Sequence, residues 1–260
     1  MSERARTIIR GALAVLAAAA AYELAARSGI FAKALLPPLA KIAGTLAAML
    51  ADGSMLTHAA YTLARMLIGF ALAVAIGVPL GILMGRKAAV EEFCLPLVNA
   101  LMPIPSLAWV PVFILWFGLG NTVAVLVVGY AAMFPLLLNT WAGVRSVNQL
   151  WLRAASAMGA SEAALFWKVL LPGAAPFIIA GLRQAFQRSW IAVVGAEMIA
   201  ASDWGLGFVI YDAKEFLNAD VMLASLAVIG TIGFAFERLL FGTLERATVQ
   251  RWGMVQAAKI

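Results

Sequence analysis

Arg183, Gln187, Trp190, Val194 and Glu197 recur at steps of four, three, four and three inside an apolar run from Ala174 to Ala200. Those steps put them on one stripe of a helix, over a rise of about 21 Å. A charge at the centre of a membrane helix costs on the order of 3 kcal/mol by insertion scales, so such residues normally face a bundle interior or water. Two expectations follow. Either the stripe lines a path for a polar solute, with Trp190 narrowing it and Glu197 near the outer mouth, or Arg183 and Glu197 only anchor the two membrane surfaces. Arg188 falls off the stripe and suits pairing with an acid of a neighbouring helix or attraction of an anion. Bond-breaking chemistry has no support. There is no H-E-x-x-H, no aspartate pair within an apolar run, and His58, the sole histidine, has no partner within a span.

The elements that must position these groups belong in lipid. Of 260 residues, 64% are hydrophobic and 12% charged, and the mean hydropathy is +0.95. That is more apolar surface than a soluble core buries. Apolar runs long enough to cross a bilayer fall at 8–26, 64–85, 93–117, 122–142, 174–200 and 221–243. The alternation of barrel strands is missing, so the expected fold is all-α with six transmembrane helices. The net charge of +6 does not indicate nucleic acid, because the basic residues sit at helix ends without interleaved aromatics. They set orientation. Arg4, Arg6, Arg10, Arg86, Lys87, Arg145, Arg153, Lys168, Arg238, Arg246, Arg251 and Lys259 fall on one side, and Arg27, Lys33, Lys41, Arg65 and Lys214 on the other. Both termini are therefore expected in the cytoplasm. The first span is expected to be retained rather than cleaved as a signal peptide, since its loss would leave five spans. The lone Cys94 excludes an intrachain disulfide and is expected to be a small buried apolar residue.

Three organising features stand out along the chain. An outer segment from Ser28 to Tyr61 contains Pro37-Pro38 and an amphipathic stretch with Ile42, Leu46, Met49 and Leu50 at helical spacing, which suits a surface helix ended by Asp52-Gly53. Gly77, Gly81 and Gly85 recur every four residues, the mark of close helix packing within or between subunits. Pro96, Pro103, Pro105 and Pro111 must kink or break the third span near Met102 to Ser106, shaping packing or bordering a path. Pro103 and Pro105 accordingly join Arg183, Gln187, Arg188, Trp190 and Glu197 as candidate path residues. Gly205-Leu206-Gly207 suits a turn or a close approach to an outside partner, and Arg251-Trp252 suits an interfacial anchor.

From Ala142 to Gly173 the chain reads as a polar helix, turn, helix. Gly159 supplies the turn, Ser161 the cap and Glu162 the first-turn acid, while Leu150, Trp151, Leu165, Phe166 and Trp167 supply apolar anchors. No G-x-x-x-x-G-K-[ST] loop occurs, so any nucleotide must be handled by another polypeptide. Ala154-Ala155, Gly159 and Val169-x-Leu171-Pro172 are spaced as in the E-A-A-(x3)-G-(x9)-I-x-L-P signature, and the stretch resembles that of ABC-importer permeases. Trp109-Val-Pro-Val-Phe-Ile-Leu-Trp-Phe-Gly118, Phe134-Pro135, Asn139-Thr140-Trp-Ala-Gly143, Pro176, Gly181-Leu-Arg183, Ser189-Trp190, Glu197-Met198 and Gly205-Leu-Gly207 extend the resemblance to the nitrate/sulfonate/taurine branch over roughly residues 57 to 252.

The resemblance implies a type I ABC-importer permease fold, divided as 1–56 (first span and outer helix), 57–245 (permease core with a coupling loop at about 143–173) and 246–260 (cytoplasmic tail). It implies a homodimer in a bacterial inner membrane, two cytoplasmic ATPase subunits and a binding protein outside. ATP and Mg would be used by the ATPase, with no cofactor held by this chain. The ATPase contact would fall on Arg153, Ala154, Ala155, Gly159, Ala160, Ser161, Phe166, Leu171 and Pro172. Arg153 departs from the usual glutamate and reverses the charge at the head of the signature. A small anion such as a sulfonate, taurine or nitrate is favoured by the resemblance, although related permeases also handle neutral heterocycles. A stand-alone secondary transporter or channel is the competing class; the missing internal repeat and the docking signature oppose it.

Overall fold

The computed structural model describes residues 3–30, 32, 34–200 and 203–241; Arg246, Arg251, Trp252, Lys259 and the 246–260 tail lie outside them. The described residues are helical and contain no strand. In order they form α1 (Glu3–Arg27), α2 (Leu39–Ala51), α3 (Ser54–Arg86), α4 (Ala88–Leu101), α5 (Val110–Phe117), α6 (Asn121–Ser146), α7 (Gln149–Ala157), α8 (Glu162–Leu165), α9 (Leu171–Ala200), α10 (Leu206–Glu215) and α11 (Ala219–Phe236). Five stretches are long and apolar enough to cross a membrane, and α4 with the Ser106–Phe117 stretch makes a sixth bent by 85°. The break falls at the expected prolines, because Pro103 and Pro105 cannot donate to the preceding turn.

The core is a layer of α3, α6 and α9, with α6 central. Glycines of α3 bring it onto α6 within one chain: a Cβ on Gly69 would lie 2.6 Å from the Val125 carbonyl oxygen, one on Gly81 2.7 Å from that of Leu137, and one on Gly85 2.5 Å from Val144 Cγ1. Gly81→Val is therefore expected to force α3 off α6 at a cost of about 1–3 kcal/mol, read as a loss of monodisperse protein after detergent extraction. Along the opposite surfaces Leu72, Ile76 and Leu115 remain exposed, as hydrocarbon-facing side chains would be.

Two expectations need correcting. α2 does not simply lie on a membrane surface: Ile42, Leu46 and Met49 pack against the main core, and Thr45 donates to Asp220 of α11 (2.7 Å). α3 begins about ten residues before the expected span, so His58, Tyr61 and Arg65 are helical. Ahead of it Asp52 accepts from the Ser54 amide (2.8 Å), and the Ser54 hydrogen bonds hold its carboxyl below the usual carboxylate range.

Candidate functional site

Three features carry the chemistry: an elbow at one end of the bundle, a buried polar network at the other and a cavity between. The elbow begins where α7 ends. Gly159 adopts φ +84°, its N–H donates to the Ser156 carbonyl (2.9 Å), and the Ala160 N–H donates to the Ala155 carbonyl (3.1 Å). That pair of bonds satisfies the last carbonyls of a helix and needs a left-handed residue after the cap. Ser161 then accepts from the Ala164 N–H (3.3 Å) and starts α8. The second arm is not the separate short helix expected. α8 runs through a π turn, Phe166–Leu170, straight into α9. The Leu171 N–H reaches back to the Phe166 carbonyl, and this wider turn falls directly before Pro172, which has no N–H to continue an α-helical ladder.

Arg153, Ala154, Gly159 and Ser161 are exposed on the elbow, and Ala155, Ala160, Leu171 and Pro172 are half-buried. Arg153 makes no ion pair among the described residues. Phe166, expected as an outward anchor, instead packs inward against the cluster of Val144, Val147, Leu170 and Ala174, with Arg86 over its ring at 5.8 Å. Arg86 also pairs with Glu162 (3.2 Å), tying the elbow to the end of α3. The apolar groups left to solvent are Leu150, Trp151, Trp167 (65% exposed) and Met158 (81%), the last not signalled by the motif.

At the far end Glu197 is 1% exposed and Arg65 5%. Arg65 Nη1 donates to Glu197 Oε1 (2.7 Å) and to the Trp204 carbonyl, and its Nε donates to Asn121 (2.7 Å). Thr62 donates to Glu197 Oε2 (2.9 Å). Three successive amides of the Gly205-Leu206-Gly207 turn close the network. Gly205 donates to His58 Nδ1 (3.1 Å), Leu206 to Thr62 Oγ1 (2.8 Å) and Gly207 to Glu197 Oε2 (3.0 Å). These bonds cap the N-terminus of α10, whose first N–H groups have no partner within the helix. Gly205 has φ +142°, and a Cβ there would lie 2.5 Å from Glu197 Cδ. His58 is thus a buried cap, and the glycine pair is a tight fit rather than a simple turn.

The stripe on α9 therefore divides: Trp190 and Glu197 are packed in, whereas Arg183 and Gln187 remain exposed. Glu197 is sealed in the network. Trp190, 9% exposed, lies where a Cβ on Gly233 of α11 would come 2.9 Å from its Nε1. Arg183 Nε donates to Glu237 (2.8 Å) and Gln187 to the same carboxylate (3.2 Å). The helical period holds, but α3, α10 and α11 cover only the part of that face from Trp190 to Glu197. Arg65, read from sequence as a residue of the outer edge, is the missed partner; His58, Thr62 and Arg65 at i, i+4 and i+7 mark one polar face of α3 that signals it.

The open space lies about a quarter-turn or more away on α9. A cavity of about 470 Å³ is bordered by Pro103, Pro105 and Ser106 of the kink, Pro135 and Asn139 of α6, and Gln184 and Arg188 of α9. At the kink the Leu101 carbonyl accepts from the Ile104 N–H (3.0 Å) and from the Tyr130 hydroxyl (2.6 Å). Among the described residues no group of acids, histidines and cysteine is arranged to hold a metal ion.

A bundle of apolar spans with an exposed elbow and a partly open cavity bearing a few polar groups defines a membrane permease. The chain belongs to the family of binding-protein-dependent transport system inner membrane components, which it matches over residues 77–250. It is 40% identical to the taurine transport system permease protein of Escherichia coli, covering 79% of this chain and 74% of that one. Identity is 34% to a bicarbonate transport system permease of Synechococcus elongatus (74% and 66% covered) and 30% to a putative aliphatic sulfonates permease of Bacillus subtilis (89% and 85%). An inward-facing structure of the MetNI methionine ABC transporter superposes with a TM-score of 0.63 at 22% identity, over 72% of this chain and 93% of that one. The fold is that of a type I ABC-importer permease.

Proposed function

We propose that this chain is the non-catalytic, membrane-spanning subunit of an ATP-driven importer for a small anionic solute in a bacterial inner membrane. Two copies form the pathway, and two ATPase subunits, which use the ATP and Mg, dock on the elbows at about 143–173. The elbow faces the cytoplasm, and a binding protein delivers solute at the α10 end. The carrying observation is the elbow itself: Leu150, Trp151 and Met158 are exposed ahead of the Gly159 turn and Trp167 beyond it, on the helical stretch that runs from Glu162 to Ala200, so displacement of that second arm is carried directly into α9. ATP must bias the bundle through an ATPase that prefers one of its states, since a ligand shifts an equilibrium only by its differential affinity. Taurine, alkanesulfonates and bicarbonate, the solutes of the relatives, share a compact oxyanion head, which supports the solute class.

In a Cys94→Ala background, Met158→Cys and Trp167→Cys are expected to cross-link to a copurifying ATP-hydrolysing subunit, while a cysteine at Leu115 on the lipid face does not. Failure of both elbow positions to capture such a subunit, or uphill uptake by the purified chain alone, would replace this reading with a self-sufficient carrier.

A further inference from the structure

The cavity beside α9 carries a charge that nothing nearby cancels. No aspartate or glutamate lines it, and its one charged group is Arg188, which is exposed and makes no ion pair among the described residues. Arg183, at the edge of the same helix surface, differs because Glu237 neutralises it. Around Arg188 stand neutral polar groups: the Ser106 hydroxyl, the Gln184 amide, and the Asn139 amide, which donates to the Pro135 carbonyl (2.7 Å). The remaining wall is apolar, from Ile104, Phe134, Leu138 and Ile191. An unpaired guanidinium at membrane depth is costly and marks a site for a partner, and its planar donors suit an oxyanion.

We infer that Arg188 is a charge-selecting way station that binds the single oxyanion head of a sulfonate, carboxylate or bicarbonate in transit, with Gln184 and Ser106 as neutral partners and the apolar wall receiving the remainder. This rests on the importer reading above and assigns its solute site. One isolated positive charge with no second cation in the same cavity fits a monoanion and disfavours cations.

The test places a reporter thiol in the cavity of the complete transporter in nanodiscs, as Ser106→Cys with Cys94→Ala. Its modification is timed with the anionic reagent 2-sulfonatoethyl methanethiosulfonate, itself a sulfonate, and with the cationic trimethylammonioethyl analogue. The ratio of the two rates cancels any change in thiol acidity. A unit charge lining the same partly wet cavity changes such a ratio on the order of tenfold. We expect the anionic preference to fall about tenfold in Arg188→Gln, to persist in Arg188→Lys, and labelling to slow when taurine, ethanesulfonate or bicarbonate is added. An unchanged ratio in Arg188→Gln overturns the assignment; if that variant does not assemble, absence of protection by all three solutes does so. Labelling needs no ATP turnover. Charge preference without uptake would therefore sink the importer reading alone, and uptake with a flat ratio would sink only the site.

Discussion

Gly159→Pro is expected to reduce ATP-driven uptake by at least about 100-fold while the chain still inserts and folds. Gly159 sits at φ +84°, and proline is confined near −65°. Proline would also remove the N–H that meets the Ser156 carbonyl and push Met158, now at φ −81° and ψ 6°, toward extended backbone. The elbow would open and lose the placement of Trp151 and Met158 relative to Trp167. Gly159→Ala is the graded control. An alanine can occupy the left-handed region at roughly 1–2 kcal/mol, so uptake should fall several-fold rather than vanish. Solute accumulation in vesicles, with ATPase copurification measured in parallel, reads both. Normal uptake by Gly159→Pro would remove the elbow from the mechanism.

The second large effect concerns folding. Glu197→Leu leaves the Arg65 guanidinium buried without its carboxylate and strips the cap from the Gly207 amide. Removing one partner of a buried pair costs about 3–5 kcal/mol, whereas replacing both with apolar residues is often close to neutral. Glu197→Leu and Arg65→Met are each expected to lose most monodisperse protein in a thermal challenge, and the double variant to recover much of it. A path-lining glutamate behaves oppositely: its loss alters uptake at unchanged stability. That second pattern would restore the original stripe and contradict the sealed network.

Much of the architecture could be read from the chain because hydrocarbon imposes simple rules. Apolar runs longer than the bilayer must be helices, prolines at 103 and 105 must interrupt one, and Gly77, Gly81 and Gly85 must meet a close neighbour. The elbow was legible for a related reason. Gly159, Ser161 and Glu162 act through bonds within a few residues, so local order suffices to place them. The exceptions were the second arm, which runs through a π turn into α9 instead of ending as a short helix, and Phe166, whose direction depends on Arg86 and Val144 from other helices.

What the sequence determined by itself was therefore what local backbone chemistry and the membrane as solvent govern: the apolar spans, the kink and the Gly159 turn. What only the tertiary structure decided was which face of α9 is covered. Arg183, Gln187, Trp190 and Glu197 share a stripe by helical period, yet a period cannot report that Arg65, over a hundred residues earlier, neutralises one end of it while Glu237 neutralises the other. Among the described residues Arg188 has no such partner and lines the cavity. Pairing between distant charges is a property of packed helices and has no signature in spacing along one of them.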